Sequence, residues 1–232
     1  MIQNYNDFCE ELLKSGFSVA SGGNNEGVFG LLEHGWNEQP EDSMVRWHSG
    51  DIEHDPWEWR IKVLAERDDV AYSKVFFKKA GYITKQWYPY FLAARRGNDD
   101  FNEAYQSGTI SLLAKKIYNI IEENGALALH EIKAFYGGLA KEDVPKFERA
   151  MVELQMKLFI TMCGSKRKVS NKGEEYGWAS TSFCLVEDFW SADVFEIANG
   201  ISAVEAEEAV MEQVFKLNPI ADKKKIKKFI YG

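Results

Sequence analysis

The chain has 232 residues, 45% of them hydrophobic and 14% aromatic, with a formal net charge of −8. This is enough apolar material for one large core or two small ones, and the negative balance argues against a surface devoted throughout to neutralising phosphate. Cys9, Cys163 and Cys184 lie far apart without CxxC or CxH spacing, so neither a disulfide framework nor a zinc site is expected, and reduced thiols in a cytoplasmic protein fit best.

No basic, apolar leader stands at the start and no apolar run approaches the roughly 18 residues needed to span a bilayer, so no membrane partner is expected. Charge is distributed unevenly: residues 1–60 carry 12 acidic and 3 basic side chains, whereas 61–100 and 101–185 are slightly positive. Seven tryptophans are expected to fill cores and interfaces before doing anything chemical.

In chain order, NDFCEELLKSG reads as a short amphipathic helix with Phe8, Leu12 and Leu13 buried and Gly16 closing it. SVASGGNNEG reads first as a connector and second as a flexible rim over a cleft, since it holds no phosphate-binding glycine motif. VFGLLEHGW is an apolar patch, and WNEQPEDSM a solvated acidic loop. His48, Asp51, Glu53, His54 and Asp55 form a cluster of imidazoles and carboxylates. The His-x5-His spacing fits neither i,i+4 on a helix nor i,i+2 on a strand, so a hydrogen-bonded loop is expected and no metal.

Asp55 before Pro56 is an N-cap and first-turn pair, which predicts a helix over PWEWRIKVLAER with Trp57 and Ile61 on one face. Trp57, Glu58, Trp59 and Arg60 are candidates for a pocket in which a base stacks on indole while a charged group reads its edge. The competing reading, which is favoured, has the tryptophans filling the core. VAYSKVFF and GYIT read as strands joined by a turn at KKAG, and QWYPYFLAARRG returns to helix.

From Gly108 to Leu185 the pattern is helix, helix, helix, strand, wing, strand, the order of a winged helix-turn-helix. TISLLAKKIYNIIEENG carries Ile110, Leu113, Ile117, Ile120 and Ile121 at helical spacing, and LHEIKAFYGG is a second, short helix. KEDVPKFERAMVELQMKL puts Val144, Phe147, Met151, Leu154 and Leu158 on one stripe, with Lys146, Arg149, Glu153 and Lys157 turned away. LFITMCG and WASTSFCL then read as strands joined by SKRKVSNKGEEYG, a polar tip. In such a module Lys146, Arg149 and Lys157 are placed for phosphates or base edges, and Lys166, Arg167, Lys168 and Lys172, set against Glu174 and Glu175, give the wing a short positive edge. Glu142, Glu148 and Glu153 oppose that role, and winged helices also dock proteins.

Beyond it, Ser202 and Glu205 have capping-box spacing before a helix carrying Val210, Val214 and Leu217. Asp222 caps KKKIKKFIYG, with Ile226, Phe229 and Ile230 inward and its lysines solvated. The pair reads as a docking hairpin or a helix-turn-helix remnant. The fold expected is α+β: a mixed α/β region over 1–107, a winged helix-turn-helix over 108–185 and a C-terminal helical segment over 186–232.

In DPWEWR, AYSKVFFKKAGYIT, WYPYFLAARR, the G-x-I-S-x-x-A-x-x-I-Y of Gly108 to Tyr118 and FERAMVELQ, the chain resembles the AlkZ-related family, which is similar to the winged-helix YcaQ/AlkZ DNA glycosylases. The resemblance extends over most of the chain. It implies winged-helix elements around a concave DNA-binding surface and, for active members, hydrolytic release of alkylated or crosslinked bases by a water held in a Gln-x-Gln or Gln-x-Asp motif. Here only Gln39-Pro40-Glu41 comes near that motif, so no catalytic residue is assigned. A nucleic-acid-associated or regulatory protein without catalysis or cofactor, with double-stranded DNA as partner, is the favoured reading. A divergent glycosylase acting on alkylated bases and a module that binds a protein partner are the alternatives.

Overall fold

The computed structural model describes residues 2–22, 27–35, 40, 43–97, 99–170 and 172–232. Helices and antiparallel strands are mixed throughout, and the chain divides into two compact units, residues 1–98 with 193–232 and residues 99–192.

In the first unit, helix α1 (Tyr5–Ser15) starts where the Asn4 side chain accepts the Asp7 N–H and stops at Gly16, whose φ of 89° provides the left-handed turn. A methyl group on Gly16 would collide with the Trp87 indole, so conformation and space both require glycine. Strand β1 (Phe17–Val19) pairs with β3 (Lys79–Thr84), which pairs with β2 (Val70–Phe76), all antiparallel. The hairpin turn lies at Phe77 and Lys78, with φ of 53° and 63°, and not at the expected Lys78–Gly81. Two consecutive left-handed residues suit a tight hairpin, but neither is the usual Asn or Gly, so the turn leaves no local signal.

Helix α2 (Pro56–Glu66) buries Pro56, Trp59 and Val63. Core filling, the favoured reading for both tryptophans, holds for one of them: Trp57 is 42% exposed, whereas Trp59 is fully enclosed and stacks on Phe8 with ring centres 5.2 Å apart. Helix α3 (Tyr88–Arg95) follows β3, and after the second unit the chain returns as α9 (Ala192–Asn199), α10 (Ala203–Leu217) and α11 (Lys223–Tyr231). The capping box of Ser202 with Glu205 and the Asp222 cap form as the sequence predicts.

The α10–α11 hairpin docks. Its Phe229 stacks on Phe76 at 3.8 Å and meets Phe17 and Phe91 at 5.5 and 5.8 Å. Arg95 donates from Nε and Nη2 to the carbonyls of Ile230 and Phe229, satisfying acceptors that a helix end leaves open. Burial disfavours its charge and lowers its pKa to about 9, which leaves it a cation at neutral pH. Gln213 Nε2 donates to Ser15 O and Asn218 Nδ2 to Val28 O, which ties α10 to N-terminal backbone, and the Asp222 N–H at the start of α11 donates to Gly27 O.

The second unit runs α4 (Phe101–Gln106), α5 (Leu112–Asn124), β4 (Leu127–Ala128), α6 (Leu129–Phe135), α7 (Val144–Met156), β5 (Ile160–Val169), β6 (Glu175–Leu185) and α8 (Val186–Phe189). β6 pairs antiparallel with both β5 and β4. Ala114, Ile117, Tyr118 and Ile121 of α5 and Phe147, Ala150, Met151 and Leu154 of α7 are buried at helical spacing. Glu153, expected to point away, instead accepts from the N–H and hydroxyl of Ser111 at 2.7 and 2.8 Å, joining α7 to the start of α5. The strands extend five residues past Gly164 and begin three residues before Trp178, which confines the tip to residues 170–174.

Replacing Phe229 with Ala should cost about 3–5 kcal/mol of unfolding free energy. Chemical denaturation of the full chain measures this; a loss under about 1 kcal/mol would mean that the aromatic cluster is not the anchor of the hairpin.

Candidate nucleic-acid interface and an aromatic cavity

The outer half of the β5–β6 ribbon, residues 165–169 and 175–179, is exposed to solvent and carries a run of basic side chains. Lys166, Arg167, Lys168 and Lys172 are all exposed. Two irregularities shape it. Between the pairs Met162↔Phe183 and Gly164↔Ser182, β5 carries an extra residue, which Gly164 accommodates at φ 144°. Between Lys166↔Ser180 and Lys168↔Tyr176, β6 advances four residues while β5 advances two. Gly177, at φ 72°, opens this second bulge, and Trp178 within it stands 96% exposed beside Tyr176 at 52%. A bulge twists the strand and re-aims a side chain, so the most exposed indole of the described residues sits among lysines and an arginine.

Lys166, Arg167, Lys168 and Tyr176 line a groove of about 440 Å³ together with His130, Glu131 and Ala134 of α6. His130 Nδ1 lies 2.6 Å from Ser180 Oγ. Glu131 caps α6 through the Ala128 N–H and holds the Lys166 ammonium at 2.6 Å. Partial burial opposes ionisation of Glu131, but the lysine and the backbone donor outweigh it and keep the carboxyl below its ordinary range. One of the ribbon's cations is thus already matched by an internal anion at neutral pH.

Of the other predicted contacts, Lys146 and Arg149 are exposed on α7, where Lys146 pairs with Asp143 at 3.0 Å, and Lys157 is half-buried at its C-cap. These three and Lys172 do not line the groove. Sequence reasoning did not single out Tyr176 and Trp178, which stand exposed on the ribbon. The signal available was an aromatic pair beside a basic run, masked because WASTSFCL reads as an ordinary strand.

The first unit contains a second feature. The buried Asp55 carboxylate accepts from the N–H groups of His48 (2.9 Å), Gly50 (2.9 Å) and Trp57 (2.8 Å). It therefore caps α2 and fixes the preceding loop, where His48 adopts φ 58°. His54 is engaged by Asp51, Nδ1 to Oδ2 at 2.8 Å, and no convergent metal-ligand group occurs among the described residues.

Loop, helix and the β2–β3 hairpin enclose a cavity of about 450 Å³. Trp47, His48, Trp57, Arg60, Tyr72, Phe77 and Tyr82 are among its walls. The Arg60 guanidinium lies over the Trp57 ring at 3.6 Å, and the His48 ring is 4.7 Å from the same indole. Burial raises the Tyr72 phenol, which the Arg60 charge opposes.

Of the four predicted pocket residues, Trp57 and Arg60 line this cavity. Trp59 is in the core with Nε1 donating to Ile52 O at 3.1 Å, and Glu58 is not part of the wall. Gln39 and Glu41 lie outside the described residues. Gln155 and Gln213 are engaged with the carbonyls of Met151 and Ser15.

Asp55→Ala should lower stability by about 2–4 kcal/mol, the sum of a lost helix cap and of loop donors left without their acceptor. Denaturant unfolding of the variant, followed by tryptophan emission, measures it; an unchanged midpoint would show that the loop stands without the carboxylate.

Among the described residues no helix is long and apolar enough to cross a membrane. The family model described as AlkZ related matches residues 2–231. No curated protein and no solved structure matches the chain.

Proposed function

Since the chain belongs to the AlkZ-related family, a family that suggests association with DNA, we propose that it is a non-catalytic DNA-binding protein whose winged helix-turn-helix spans residues 108–185. In this reading α5 and α6 are its first two helices, α7 is the recognition helix, and the β5–β6 ribbon is the wing. The observation that carries it is the ribbon itself: Lys166, Arg167, Lys168 and Lys172 project into solvent with Tyr176 and the 96% exposed Trp178. Cations at that spacing neutralise successive phosphates, while an aromatic ring at the rim packs on sugar or base. Lys146, Arg149 and Lys157 of α7 would supply further phosphate contacts.

The absence of a carboxylate or carboxamide among the described cavity-lining residues supports binding over base release. Hydrolysis of a glycosidic bond needs such a group to orient water, and Trp57 and Arg60 do not provide one.

Binding of the full chain to a labelled duplex across a salt series tests the proposal. Affinity should fall steeply with salt, and the double reversal Arg167→Glu with Lys168→Glu should weaken it at least about tenfold, because two phosphate contacts become repulsive. Trp178→Ala should cost a few-fold. Glu131→Gln should strengthen binding and steepen the salt dependence by about one phosphate's contribution, since it releases Lys166. No binding at low salt, or binding indifferent to the double reversal, would refute the wing assignment and leave a protein partner as the reading to pursue.

A further inference from the structure

We propose that the aromatic cavity of the first unit is a binding site for a small planar aromatic carboxylate, independent of DNA. Its volume of about 450 Å³ falls in the range of small-molecule sites. Its walls are largely rings, among them Trp47, Trp57, Tyr72 and Phe77, with two cations, Arg60 and Lys79, and no carboxylate among the described lining residues.

The Arg60 Nε is buried and has no hydrogen-bond partner among the described residues. Buried donors in native proteins are almost always paired, and an unpaired Nε on a guanidinium that lines a ring-walled cavity is matched by an acceptor that arrives with a ligand once a small shift of the side chain uncovers it. A planar carboxylate can meet that edge with two parallel hydrogen bonds while its ring packs on the indoles.

Backbone strain points to the same place. His48 and Phe77, both lining the cavity, adopt φ of 58° and 53°, the latter as the first residue of the tight β2–β3 turn. Residues are held there where the surroundings over-determine them, characteristically at binding sites. On the His48 side the restraint is visible: its N–H is clamped by the buried Asp55 carboxylate at 2.9 Å. The cavity is thereby largely formed before anything enters, which reduces the ordering cost of binding.

The test is titration of the full chain by isothermal calorimetry and tryptophan emission with three probes: indole-3-carboxylate, uncharged indole and adenosine 5′-monophosphate. Indole-3-carboxylate should bind saturably at one site, at least about tenfold tighter than indole, the gain of a charge-assisted pair. Arg60→Met, which keeps the side chain's length without its charge, should remove that preference while leaving indole binding unchanged.

Phe77→Gly guards against a variant that merely unfolds. Glycine relieves the positive φ but gives up the ring's contact with Phe229 at 6.1 Å, so circular dichroism must show a folded chain while affinity for indole-3-carboxylate falls several-fold through loss of a wall. Equal binding of indole and its carboxylate, an Arg60→Met variant that binds as the native chain does, or no saturation by about 10 mM would overturn the proposal. So would Phe77→Gly with unchanged affinity. Tight binding of the nucleotide alone would overturn the carboxylate assignment in favour of a phosphate ligand. None of these readouts depends on the wing, so failure here and failure of DNA binding are separable.

Discussion

The buried carboxylate of Asp55 is the constraint on which the first unit's functional surface depends. One side chain accepts three backbone N–H groups, two from the loop before it and one from the helix it starts. Each bond is charge-assisted, and the carboxylate lies at the positive end of the α2 dipole. Trp57 and Arg60 lie three residues apart on that helix, on the side where guanidinium and indole stack. Because the same carboxylate holds His48, the geometry of loop and helix is set by one group and cannot drift independently. A neutral side chain could cap the helix, but it would not have the acceptor capacity to hold both.

Where a structural decision was made locally, it was legible. The Asp55–Pro56 pair, the Ser202 and Asp222 caps and the Gly16 stop each rest on residues within one turn of the feature they specify. The family resemblance was likewise readable, from short stretches spread over the chain, and the match over residues 2–231 agrees with it. Three decisions were not legible. Both faces of α2 carry a tryptophan, and helical spacing does not say which face meets Phe8. The Phe77–Lys78 turn has no Gly or Asn to announce it. The outer ribbon faces water on both sides, so it has no period-two pattern of burial, and its backbone pairing is invisible to any reading based on hydrophobic alternation.

The cavity was half legible for a different reason. Trp57 and Arg60 attract notice as neighbours in sequence, but Tyr72, Phe77 and Tyr82 join them only through the hairpin, and their contribution is tertiary. Net charge misleads in a comparable way at the ribbon. A chain at −8 presents a locally positive edge because the surplus acid is concentrated in residues 1–60. At physiological ionic strength a charge is felt over only about 8–10 Å, so the sign of the whole molecule matters less than the sign of the strip in contact.

The return of residues 193–232 to the first unit has a consequence for biosynthesis. Residues 99–192 form a contiguous unit, whose own core is complete in sequence once Ala192 has left the ribosome. The unit begun earlier must wait. Its Phe17, Phe76 and Phe91 remain without their partner until Phe229 emerges, and Gln213 closes on Ser15 across 198 residues of chain. The later-starting unit is thus able to fold first, and the N-terminal half spends most of translation with its largest aromatic surface open, a natural client for a chaperone.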